Sequence, residues 1–142
     1  ANASAYRAGY AAFAERWRTQ IRRWEAQGAP LKGVAVVSQH KAWAYLYDWL
    51  GLKEVAVLEP KPGVEPGVAH LQSVLATLKA TPARMTLVAA YQDTRASEWL
   101  TQRGGPPVVK LAFTVGGTEG AKDLFGLFDD TLSRLLAAAG PK

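Results

Sequence analysis

The 142 residues carry 17 Lys and Arg against 12 Asp and Glu, a formal net charge of +5, with 49% apolar and 20% charged residues. That balance is ordinary for one globular domain able to bury a real core, and no apolar run approaches the roughly 20 residues of a membrane-spanning helix. Cysteine is absent, which excludes disulfides and thiolate metal sites and leaves imidazole, carboxylate and water as the donors for any transition metal. The charged, apolar and cleavage segments of a signal peptide are missing. Instead Ala1-Asn2-Ala3-Ser4 lead straight into a helix, as expected of a mature or truncated piece.

Residues 4–26 read as a long helix. Tyr6, Tyr10, Phe13, Trp17, Ile21 and Trp24 recur every three or four positions and share one stripe, with Arg7, Glu15, Arg16, Arg22 and Arg23 off it. Ser4 is the expected N-cap, and Gly28 followed by Pro30 is the stop signal. Beyond Pro30, short apolar runs alternate with helical segments. Val34 to Val37 reads as a buried strand, and Ala42 to Leu50 as an amphipathic helix closed by Gly51. Val55 to Leu58 is a second strand, broken off by Pro60, Pro62, Gly63 and Pro66. A helix is expected over 67–79, a strand over 85–90 and a short helix over 96–102, ended by Gly104-Gly105. A fourth strand covers 108–112, and a final helix over 122–138 carries Leu124, Leu127, Phe128, Leu132 and Leu135 on one face.

The strands are near-continuous apolar runs, the pattern of parallel strands covered on both faces. Their alternation with helices predicts an α/β fold with right-handed crossovers. The expected architecture is a four-stranded parallel doubly wound sheet flanked by helices and preceded by a long N-terminal helix.

Ligands of such sheets bind beyond the carboxyl ends of the strands. Those ends carry Ser38-Gln39-His40, Glu59-Pro60-Lys61-Pro62-Gly63, Tyr91-Gln92-Asp93 and Phe113-Thr114-Val115-Gly116-Gly117. His40 stands between a strand and a helix, where a neutral imidazole suits zinc, or manganese beside carboxylates; a histidine that caps the next helix or hydrogen-bonds locally is the other reading. Glu59 either offers a carboxylate or terminates its strand. His70, on a helix, reads as a surface or packing residue. The stretch from Gly116 to Asp123 fails as a phosphate-binding loop, with Ala121 where the second glycine belongs and Asp123 where Ser or Thr must follow Lys122. A mobile surface loop is expected there. No GxGxxG, GxSxG or cysteine nucleophile is present, so no enzyme activity is expected. Arg16, Arg18, Arg22 and Arg23 form the densest basic group. They read as a solvated helix face, or alternatively as the footprint of a stand-alone basic α/β module for nucleic acid or another anionic partner. Nucleic acid is not the favoured partner, since no basic stripe extends beyond that helix.

In order and in register, these segments resemble the C-terminal half of the solute-binding receptors that feed zinc and manganese ABC transporters. Asn2-Ala3-Ser4-Ala5-Tyr6-Arg7 with Phe13 and Trp17 looks like the family's long interlobe helix. Leu31-Lys32-Gly33-Val34-Ala35-Val36-Val37-Ser38-Gln39-His40 looks like its strand leading to a metal ligand. Trp43-Ala44-Tyr45-Leu46, Trp49-Leu50-Gly51-Leu52, Glu59-Pro60-Lys61-Pro62-Gly63 and Leu124-Phe125-Gly126-Leu127-Phe128-Asp129 match further segments. The resemblance implies a spine helix over residues 1–28 and the C-terminal α/β lobe of a two-lobe metal-binding protein over 31–142. It implies a periplasmic or extracytoplasmic receptor whose partners are an N-terminal lobe, a membrane permease and a divalent metal, zinc or manganese. It also implies a metal role for His40. The family's second ligand from this lobe, an Asp after the fourth strand, aligns with Thr114, a poor zinc ligand. Water or a three-ligand site is ranked first in its place, ahead of Glu119 or Asp123 reaching in from the Gly-rich loop or a metal held mainly by the other lobe. Further histidines belong to the other lobe, outside this sequence, so the site in this chain is incomplete and weak metal binding is expected of it alone.

Overall fold

The computed structural model describes residues 2–140; Ala1, Pro141 and Lys142, at the outer limits of the expected domains, lie outside the described residues. Helix α1 (Ala3–Gly28) ends in a single 3-10 turn (Ala29–Leu31) and leads to strand β1 (Ala35–Ser38). Helix α2 (Ala44–Leu50), strand β2 (Lys53–Val57) and helix α3 (Val68–Ala80) follow. Strand β3 (Met85–Ala89), helix α4 (Arg95–Thr101), strand β4 (Val108–Leu111) and helix α5 (Leu124–Ala139) complete the chain. All strand pairs are parallel and the sheet order is β2-β1-β3-β4. The chain therefore steps outward from β1 to β2, then crosses back over β1 to β3 and β4. The reversal falls between β1 and β3, where open α/β sheets place their ligand crevice.

The pleat explains the apolar runs. Val36 and Val37 are both fully buried, yet Val36 joins the core beneath α1, α2 and α5 while Val37 joins the one beneath α3 and α4. The first core is built around Trp24, Leu50, Leu87, Leu111 and Leu135, and the second around Leu58, Leu71, Val74 and Leu100. In β3 all five residues are buried.

The element boundaries depart from the sequence expectations where polar residues open an element. Strand β2 starts at Lys53, because Lys53 and Glu54 are exposed positions of an edge strand that pairs with β1 alone. Ser4 lies inside α1, whose N-cap is Asn2. Helix α5 begins one residue after Asp123, whose carboxylate caps it by accepting from Gly126 N at 2.7 Å.

The aromatic stripe of α1 is covered over only part of its length. Trp24 is fully buried, its ring stacked on Phe128 at 4.7 Å between centroids and its Nε1 donating to Asp129 at 2.8 Å. Trp17 meets Trp24, Phe125 and Phe128 edge-on. Further toward the amino end, Phe13, Tyr10 and Tyr6 are 45%, 71% and 77% exposed.

The segment between β4 and α5, read from sequence as a mobile surface loop, is largely exposed and is also folded back on itself and tied to α5. Gly116 N donates to Ala121 O at 2.7 Å, Ala121 is fully buried, and Thr118 Oγ1 donates to Asp130 at 2.6 Å. A Cβ at Gly126 would sit 2.6 Å from the backbone oxygen of Gly120, a contact that only a backbone shift relieves. Gly126→Ala is therefore expected to destabilise the chain by about 1–3 kcal/mol, read as a lower urea midpoint with an unchanged slope.

Asp130 gives this region a pH dependence. Burial by itself raises its carboxyl, but hydrogen bonds from Arg134 (2.7 Å) and Thr118, with the Arg134 charge, outweigh that and hold it below the ordinary carboxylate range. A carboxyl lowered in the native state stabilises the fold fully above its unfolded value of about 3.9 and loses that contribution as pH falls through the native value. Asp130→Asn is expected to cost about 1 kcal/mol near neutral pH, kept small by the partly exposed Arg134. The two denaturation curves are expected to converge in acid.

Candidate metal centre

The register of β1 and β2 builds the most distinctive polar contact of the carboxyl edge. Ser38 pairs with Val57, and the ladder runs on past both strands, Leu58 N donating to Ser38 O at 2.8 Å and Glu59 N to Gln39 O at 3.0 Å. His40 and Glu59 stand two residues beyond that pair on adjacent strands and so meet. His40 Nδ1 lies 2.6 Å from Glu59 Oε2, with the side chains 31% and 18% exposed. The same oxygen accepts from Gly63 N at 3.3 Å. Gly63 has a φ of +77°, a conformation that favours glycine, and it bends the Pro-rich turn back under the carboxylate.

Of the other readings of His40, a cap on the next helix does not fit, whereas a local hydrogen bond is present, to Glu59. Helix α2 takes Trp43 as its N-cap residue and has no side-chain cap bond. With Nδ1 engaged by Glu59, Nε2 is the ring nitrogen left for another partner; among the described residues no hydrogen bond reaches it.

The remaining sequence candidates lie apart from this pair. Asp123 is occupied as the α5 cap, and Glu119 and Thr114 are exposed in the β4–α5 segment. Among the described residues no three His, Asp or Glu side chains come together as a metal-holding group. His70 is a packing residue whose Nε2 contacts Val57 O at 3.0 Å, tying α3 to β2. Of Arg16, Arg18, Arg22 and Arg23 on α1, Arg16 lies over the Phe125 ring at 3.8 Å and Arg23 reaches Asp129 at 3.9 Å, so two of them belong to the α1–α5 contact.

Around the pair the carboxyl edge is aromatic on one side and polar on the other. Trp43, Phe113 and Tyr91 pack edge to face, with centroids 5.5 and 5.9 Å apart. A cleft of about 500 Å³ opens between the ends of β1 and β3 and the helices α3 and α4, lined by Gln39, Glu59, Glu65, Tyr91, Asp93 and Trp99 among others. Asp93 at its rim is held below the usual carboxylate range, first by the backbone hydrogen bond from Arg95 and then by the Arg95 side chain.

Sequence reasoning missed a second polar network at this edge. Ser38 Oγ is 2.6 Å from Tyr47 Oη and donates to Glu54 at 2.5 Å. Burial pushes the Tyr47 hydroxyl well above its ordinary range, with the Ser38 hydrogen bond opposing and Glu54 adding to the rise. The hydroxyl therefore stays neutral and joins α2 to β1 and β2. The available signal was a serine ending an otherwise apolar strand.

The profile of the family described as "Zinc-uptake complex component A periplasmic" matches residues 1–138. No curated protein gives a significant match. Among solved structures, a crystal structure of ZnuA aligns with 25% identity and a TM-score of 0.68, covering 97% of this chain and 48% of that one. The SBP FpvC from Pseudomonas aeruginosa in complex with Mn2+ aligns with 24% identity and a TM-score of 0.66, covering 94% and 49%. A metal-free point mutant of a periplasmic metal-binding protein from Candidatus Liberibacter asiaticus aligns with 12% identity and a TM-score of 0.73, covering 98% and 53%. The chain thus spans about half the length of the structures it matches. With 138 of its 142 residues matched, the chain belongs to the family described as zinc-uptake complex component A, periplasmic.

Proposed function

We propose that this chain is the C-terminal half of an extracytoplasmic receptor that captures a divalent metal, zinc ahead of manganese, in a crevice between two lobes and delivers it to an ABC permease. The observation that carries the reading is His40, an imidazole at the carboxyl edge of a sheet of the receptor family, beside the crevice position, with Nε2 unengaged among the described residues. In this reading α1 is the spine between the lobes. Its uncovered residues Tyr6, Tyr10 and Phe13 lie against the N-terminal lobe, as suits a stripe that this lobe buries over only part of its length.

The donor set fits a site shared between lobes. This chain offers one imidazole, while histidines of the other lobe, with water near Thr114, complete the coordination. Zinc precedes manganese because imidazole is the donor available here and the exposed carboxylates lie away from it. The metal is bound and released with no covalent bond of the protein or the cargo changed.

The test is zinc titration by calorimetry of a receptor carrying both lobes, wild type beside His40→Ala. Equal affinities would remove the reading of this lobe as a ligand-bearing half.

A further inference from the structure

We propose that Glu59 is a positioning residue for His40: its carboxylate fixes the imidazole as the Nδ1–H tautomer with Nε2 as the metal-facing donor, and does not itself bind the metal. The inference rests on the receptor reading for its consequence, but the positioning itself is a property of the metal-free chain.

Three observations carry it. The first is the contact, 2.6 Å between His40 Nδ1 and Glu59 Oε2, short enough for a charge-assisted hydrogen bond. The second is that Glu59 is itself anchored. Its backbone N–H continues the β1–β2 ladder to Gln39 O, and Oε2 also accepts from Gly63 N. An oxygen that already serves an imidazole and a backbone amide is poorly placed to take a metal as well. The third is exposure. Glu59, 18% exposed at its side chain, is the more buried of the pair, and the imidazole, at 31%, is the more open to a ligand arriving from outside.

The chemistry of the pair follows from the tautomer. A neutral imidazole has one protonated and one bare nitrogen, and only the bare one binds a metal. A carboxylate can only accept, so it demands the proton on Nδ1 and leaves the Nε2 lone pair outermost. It also fixes the ring plane and raises the basicity of the donor nitrogen. The arrangement arises from register: residues at equal offsets past the paired Ser38 and Val57 must meet if their strands are adjacent and parallel.

The first measurement needs no substitution. Long-range 1H–15N correlation spectra of the metal-free protein report which imidazole nitrogen of His40 carries the proton; the expected result is Nδ1–H with Nε2 bare. Finding the proton on Nε2 overturns the proposal. Glu59→Ala is then expected to release the tautomer preference, and Glu59→Gln, whose amide oxygen still accepts, to retain most of it. In the two-lobed receptor, Glu59→Ala is expected to weaken zinc binding by about 10–100-fold and Glu59→Gln by much less. In a His40→Ala background the loss of Glu59 is expected to add nothing, since a residue acting through another has no independent effect. An equal, severe loss for both Glu59 variants that persists without His40 would make Glu59 a ligand and overturn the proposal. If instead His40→Ala leaves zinc affinity unchanged while the Nδ1–H tautomer stands, the receptor reading fails and the positioning remains.

Discussion

In a receptor carrying both lobes, His40→Ala is expected to weaken zinc binding by at least about 100-fold, which is about 2.8 kcal/mol. Changes in the groups behind a metal ligand typically cost 10–100-fold, and removing the donor nitrogen itself must reach or pass the upper end of that range. Water is the only replacement at hand, because among the described residues no third His, Asp or Glu joins His40 and Glu59. Asp123→Ala is the matched control. It removes the carboxylate that caps α5 through Gly126 N and is expected to cost about 1 kcal/mol of stability while leaving zinc affinity within error.

Trp24→Ala is expected to be the most destabilising single change in the chain, at about 3–5 kcal/mol. The ring is fully buried, stacked on Phe128 and edge-on to Trp17. Its truncation also leaves Asp129 without the indole donor at 2.8 Å. Against a total of roughly 5–15 kcal/mol for a typical domain, that loss takes a large part of the stability, and thermal unfolding should begin at least about 10 °C lower. Tyr10→Ala, on the same stripe but 71% exposed, is expected to leave this chain's unfolding curve almost unchanged. Comparable losses at the two positions would mean that the amino half of α1 is already covered.

The fold was legible because its signals are long and redundant. Val36 and Val37 face opposite layers, so an unbroken apolar run signals a covered parallel strand, and the stripe from Tyr6 to Trp24 has no sensible reading except a helix. The misses fall where one residue decides a boundary. Lys53 and Glu54 look like a loop because an edge strand exposes its first residues. Ser4 is a good cap by type, yet Asn2 precedes it and the helix starts there.

At the candidate site, His40 was visible from its place between a strand and a helix, and the family resemblance sharpened that expectation. The partnership with Glu59 was not visible, because it depends on β2 lying next to β1 in a definite register, which spacing along the chain does not reveal. Asp123 was the reverse case. An acidic residue directly before an apolar helical run is a cap signal, and Asp123 caps α5 through Gly126 N.

The docking of α1 on α5 joins the two ends of the described chain, with Trp24 and Asp129 separated by 105 positions. Within this chain, α1 therefore cannot complete its docking through Trp24 until α5 has been made. The β1–β3 pairing adds to the delay, since it waits for β2 and α3 to be threaded between its two strands. A chain wired in this way assembles late and nearly all at once, and its aromatic residues stay uncovered in the meantime, open to aggregation.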